Sequence, residues 1–164
     1  MERLLDTALS HAGIVTSSAG TAAAVGEPIA GPMATLLRSV GARADDFAAR
    51  QLTERMINES DLVITATRAH RTSAVSLAPA AVRHTFTLIE LARLAQFVPP
   101  EQITGLTHAE RLRSLVALAP AYRARAGHGP SSIPDPFGRS EVIYRRCFDA
   151  IFACTLDIVE AITR

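Results

Sequence analysis

Apolar positions along the chain alternate between helical stripes and short unbroken runs. Leu4, Leu5, Ala8 and Ala12 recur at helical spacing, and Gly13 offers a stop. Ile14 to Ser18 reads as a short strand, left through a turn at Ala19-Gly20-Thr21. Gly26-Glu27-Pro28 punctuates a loop. A second helix follows with Met33, Leu36, Leu37 and Val40 on one face and Gly41 at its end. Thr53 caps a brief helix. Asp61 to Ala66 is a short, β-branched apolar run of the kind a buried parallel strand needs. Arg68 to Ala74 starts the next helix. His84 to Leu88 is a second buried strand, and it runs straight into a helix because Thr87 and Glu90 have capping-box spacing. Thr107 and Glu110 repeat that spacing ahead of Leu112, Leu115 and Val116. A last helix carries Ile143, Cys147, Ile151, Cys154, Ile158 and Ile162 as one stripe at steps of three and four. Strands alternating with helices predict an α/β class with a parallel sheet. No internal repeat or linker divides the chain, so residues 1–164 are expected to form one domain. The chain opens on a helix, whereas a doubly wound sheet normally places a strand and its ligand loop first.

Composition changes this picture little. The chain has 164 residues, 48% apolar and 20% charged, with a net charge of +1. It has no lysine; all 17 basic residues are arginine. No basic stripe and an aromatic content of 5% argue against nucleic acid. No apolar run has the length of a membrane span, and Met1 to Asp6 lacks a signal core, so a cytoplasmic location is expected. His11, His84, His108 and His128 are scattered without metal-ligand spacing, and no cofactor is expected. Asp45-Asp46 is read as a loop rather than half of a metal pair. Cys147 and Cys154 lie on the stripe of the last helix, roughly 10 Å apart at ~1.5 Å per residue, too far for a disulfide. Both are read as core residues.

Several landmarks then act together. Ser17-Ser18-Ala19-Gly20-Thr21 follows the first helix, and Gly26-Glu27-Pro28 comes next. Asp61-Leu62-Val63-Ile64-Thr65 precedes Arg68-Ala69-His70-Arg71, and Ile133-Pro134-Asp135-Pro136-Phe137-Gly138 lies just before the last helix. In this order and spacing the chain resembles the low-molecular-weight protein tyrosine phosphatases along essentially its whole length. The resemblance implies a three-layer αβα sandwich around a four-stranded parallel sheet, phosphoprotein substrates and metal-free chemistry. Family members carry a Cys-x5-Arg loop between the first strand and first helix. Its thiolate attacks phosphorus, while loop N–H groups and the arginine hold the phosphate oxygens. A distant aspartic acid protonates the leaving group and later activates water.

The resemblance assigns that acid to Asp135. Phe137 stands where tyrosine is commoner and could line the substrate pocket; the Asp-Pro-Phe-Gly form is similar to some bacterial members, arginine phosphatases among them. The nucleophile loop has no counterpart. Six positions after Cys147 stands Ala153, and six after Cys154 stands Glu160. Ser17 and Ser18 have no histidine-acid arrangement to activate them. Met1 matches the position just after the family's loop, so the first, central strand is expected to be missing, between the Ile14–Ser18 and Asp61–Ala66 strands. The preferred expectation is an internal start, with that strand and loop encoded upstream. The alternative is a non-catalytic pseudophosphatase acting through protein contacts, whose exposed strand edges would drive self-association. His70 and Arg71 follow the carboxyl end of a strand, where α/β proteins bind ligands, although the plainer reading is a solvated helix start.

Overall fold

A computed structural model describes residues 1–9, 12–127 and 129–164. His11 and His128 of the scattered histidines lie outside the described residues. Eight helices are described: α1 (Glu2–Leu9), α2 (Gly31–Ser39), α3 (Glu54–Asn58), α4 (Arg68–Leu77), α5 (Leu88–Phe97), α6 (His108–Leu118), α7 (Arg123–Ala126) and α8 (Glu141–Thr163). Two strands, β1 (Val63–Thr65) and β2 (Thr85–Thr87), pair in parallel with Ile64 opposite Phe86. The class is therefore α/β around a parallel sheet, as the alternation predicts.

Apolar burial places the sheet between helical layers. Phe86 and Leu88 join α5, α6 and α8 in the largest cluster, through Leu91, Leu94, Leu115, Ile158 and Ile162. On the other side, Ile57 of α3 and Ala74 of α4 pack with Ala78, Ala81 and Val63. A third cluster joins α1, α2 and the start of α8 through Leu4, Leu36, Leu37, Tyr144 and Phe148. The last-helix stripe is realised: Cys147, Ile158 and Ile162 are buried, with Ile143, Ile151 and Cys154 packed against the same core. On α1 the stripe is narrower than its spacing suggests. Leu4 and Leu9 are buried and Ala8 is exposed.

Side-chain caps fix where the elements begin. Thr53 Oγ1 accepts from Met56 N at 3.3 Å. Both expected capping boxes form, Thr87 with Glu90 and Thr107 with Glu110. The first joins β2 to α5 with no intervening loop, which fixes where the strand's carboxyl end opens. Thr87→Ala should cost about 1 kcal/mol, the usual worth of such a cap. Urea unfolding would show this as a lower midpoint at unchanged slope. Arg111 reaches across to the end of α8. Its Nε donates to the Ile162 carbonyl at 2.8 Å and its Nη1 to the Ile103 carbonyl at 2.7 Å.

The expected Ile14–Ser18 strand is not present. Residues 14–19 hold no regular secondary structure, and the nearest pairing is an isolated parallel bridge between Gly20 and Gln51. A strand needs a ladder partner as much as a pattern of side chains. Here residues 13–21 face β1 across a groove of about 1050 Å3. Val15, inside the expected strand, is 96% exposed. The other expected strand, 61–66, shortens to Val63–Thr65.

Candidate active site

The acid loop is anchored at the carboxyl end of the sheet. Ile133 is buried, and its N–H donates to the Ala66 carbonyl at 2.8 Å, directly beyond β1. On the other side, Cys147 of α8 donates its S–H to the Pro134 carbonyl at 3.3 Å. Between these ties Asp135 stands exposed, its Oδ1 accepting from Phe137 N at 3.0 Å. That turn engages one oxygen of the carboxylate. Proline on both sides of Asp135 limits the loop's freedom. Phe137 is 78% exposed and packs into no cluster, so its ring is available to a substrate.

Neither thiol has the environment of a nucleophile. Burial pushes the Cys147 thiol above its ordinary value of 9.0, and the Asp135 charge pushes it further. Burial and then Asp157 do the same for Cys154. A nucleophilic cysteine needs the opposite shift. Both are free thiols. The linkage has a fixed sign. An unfolded chain ionises these thiols near the ordinary value while the folded chain still holds the protons. Their contribution to stability is thus full below about pH 9 and is lost as pH rises through the raised folded values. Iodoacetamide at pH 8 should label Cys147 only at the rate of unfolding; rapid labelling of the native chain would contradict this.

The other candidates are resolved by their partners. His70 is exposed on the first turn of α4, where its N–H donates to the Thr67 cap at 3.1 Å. Arg71 is no freely solvated helix start: its Nε donates to the Thr85 carbonyl at 2.8 Å and its Nη2 to the Val82 carbonyl at 3.3 Å. Asp45 and Asp46 pair with Arg38 and Arg43 at 2.7 and 2.9 Å, so each carboxylate is occupied by a guanidinium. Ser18 hydrogen-bonds Glu2. Among the described residues no three metal-ligating side chains cluster. No helix among them is long and apolar enough to cross a membrane.

The fold around the Asp135 loop has clear counterparts. Residues 1–96 match the model of the family described as low molecular weight phosphotyrosine protein phosphatase. The chain belongs to that family. Solved structures agree on the fold over nearly all of this phosphatase-family chain. The tyrosine phosphatase amsI of Erwinia amylovora superimposes with a TM-score of 0.69 at 20% identity, covering 99% of this chain and 83% of that one. The YwlE arginine phosphatase of Geobacillus stearothermophilus gives 0.67 at 24% identity, over 97% and 80%. Wzb of Vibrio vulnificus, in complex with benzylphosphonate, gives 0.66 at 17%, over 97% and 86%. Among curated proteins, no sequence matches significantly. The family acts on phosphorylated protein substrates, and these structural neighbours include both tyrosine and arginine phosphatases.

Sequence reasoning missed the anchors of the acid loop. Ile133 reads as an ordinary apolar residue beside a proline, and nothing in its spacing reveals that its N–H reaches Ala66. It also missed a group of arginines beside the sheet's carboxyl end. Arg68, Arg71, Arg93 and Arg123 come from three helices and are far apart in the chain.

Proposed function

We propose that this chain carries the proton-donor half of a phosphotyrosine phosphatase site, with Asp135 as general acid and base, and supplies no nucleophile of its own. The observation that supports this is the exposed Asp135 carboxylate on a loop tied to the end of β1, beside a thiol whose pKa is raised. The chemistry needs a thiolate in a phosphate-cradling loop. The 164-residue chain has two cysteines, both on α8, and neither is followed by arginine six positions on. Phosphate monoester hydrolysis through a phosphocysteine would therefore require a Cys-x5-Arg loop that these 164 residues do not contain, and alone they should not turn over. The phosphorylated ring of a tyrosine suits the exposed ring of Phe137, which could stack on it. A version with an apolar strand ending in Cys-x5-Arg-Ser-Pro joined ahead of Met1 should dephosphorylate tyrosine-phosphorylated peptides faster than arginine-phosphorylated ones. Faster release from phosphoarginine would overturn the substrate assignment and favour the arginine phosphatase reading.

One observation favours a second, non-catalytic role through protein contacts. Val63 N–H donates to the His84 carbonyl at 2.9 Å, so parallel alternation turns the N–H and C=O of Ile64 toward the groove. An open strand edge is a template for another strand. Light scattering at rising concentration should show mass growing from the 17.5 kDa monomer toward a dimer. A constant monomer mass would remove this reading.

A further inference from the structure

The arginines beside the sheet form a cleft whose lining includes Ser131 and does not include Asp135. It measures about 390 Å3, within the range of small-molecule sites. It opens where β1 and β2 end, since Thr87 closes β2 and Arg68 begins α4. Carboxyl ends of parallel strands are where α/β sheets take ligands. Four guanidiniums line it: Arg68, Arg71, Arg93 and Arg123. The only carboxylate in the lining is Glu90, which pairs with Arg123 Nε at 2.9 Å. The lining thus carries three uncompensated positive charges in a chain whose net charge is +1.

The arginines are held rather than loose. Arg68 Nε donates to Ser131 Oγ at 2.5 Å. Arg93 Nη1 donates to the Pro130 carbonyl at 3.4 Å. Arg123 lies 5.2 Å over the Phe86 ring. A Cβ at Gly129 would sit 2.5 Å from Arg93 Nη1, so a side chain there would shift that guanidinium. After these contacts, two donors remain. Arg93 Nε and Arg123 Nη2 are buried and find no hydrogen-bond partner among the described residues. A buried unpaired donor costs stability unless an acceptor completes it. A fork of fixed guanidiniums is suited to phosphate oxygens, which accept several charge-assisted bonds at once.

We propose that this cleft binds a small phosphorylated anion with two phosphate groups, such as a diphosphate ester, with the guanidiniums of Arg93 and Arg123 as the inner contacts and Arg68 as the outer one. Two phosphates rather than one follow from the surplus of three charges and from a volume well above a single anion's. The lining does not include Asp135.

Isothermal titration with pyrophosphate and inorganic phosphate at matched ionic strength tests this on the full chain. Pyrophosphate should bind, and inorganic phosphate should bind at least tenfold more weakly. Arg93→Gln and Arg68→Gln should each weaken pyrophosphate by roughly tenfold or more, the scale of one charge-assisted bond. Arg68 is exposed, so its variant keeps the test valid if Arg93→Gln fails to fold. Arg125→Gln, outside the cleft, should leave binding unchanged. The proposal is overturned if pyrophosphate gives no heat above the salt blank, or if phosphate binds as tightly. It is equally overturned if Arg125→Gln weakens binding as much, or if a tyrosine-phosphorylated peptide binds the cleft arginines and pyrophosphate does not compete.

Discussion

Phe86→Ala should destabilise the chain by about 3–5 kcal/mol, the range for truncating a buried aromatic. Phe86 is the central residue of β2 and is fully buried. It sits in the main cluster with Leu91, Leu94 and Leu115, and its ring carries the Arg123 guanidinium. Truncation would leave a cavity at the point where sheet, α5 and α8 meet. The sheet has only two described three-residue strands, so there is little else to hold the register of Ile64 against residue 86. A loss of this size is a large part of the roughly 5–15 kcal/mol that a domain has in total. Urea denaturation should show a midpoint lowered by roughly a fifth or more at unchanged slope. A shift worth less than about 1 kcal/mol, the size of a single surface change, would show that the core is organised differently.

The second large effect concerns chemistry. In the version carrying a Cys-x5-Arg loop ahead of Met1, Asp135→Asn should lower kcat by about 10²–10⁴-fold, the usual worth of a positioned general acid. Asparagine retains an oxygen that can accept from Phe137 N, so the turn now held at 3.0 Å should survive. Only the proton is lost. The defect should therefore depend on the leaving group. In kcat/KM, which reports phosphorylation of the cysteine alone, the loss should be full for phosphotyrosine, whose phenolate needs protonation, and small for a dinitrophenyl phosphate, whose leaving group departs unprotonated; hydrolysis of the phosphocysteine, which uses the same carboxylate as base, should slow for both. An equal loss of kcat/KM on both substrates would mean that Asp135 shapes the loop and does not donate the proton.

Some of this was legible from local chemistry. Thr87-x-x-Glu90 and Thr107-x-x-Glu110 define helix starts by spacing alone, because both partners of each box lie within one turn. The stripe from Cys147 to Ile162 likewise names the buried face of α8. What depends on distant partners was not legible. Residues 14–18 have strand-like composition, yet nothing in them supplies a neighbour, and the segment lies unpaired beside the groove. Arg71 looks solvated in a list of residues, but the carbonyls of Thr85 and Val82 claim it. The acid at Asp135 came from family resemblance. Its mooring came from Ile133 and Cys147, which periodicity marks only as apolar. The arginine cleft assembles residues up to sixty-three positions apart, which no window along the chain can join.

On the proposed reading, Asp135 is the acid of a phosphate monoester hydrolase whose Cys-x5-Arg nucleophile loop is not among these 164 residues. The most direct measurement is hydrolysis of p-nitrophenyl phosphate by the purified chain as it stands, beside its Asp135→Asn variant. Neither protein should show turnover above the buffer blank. Steady turnover by the unmodified chain that vanishes in Asp135→Asn would contradict it.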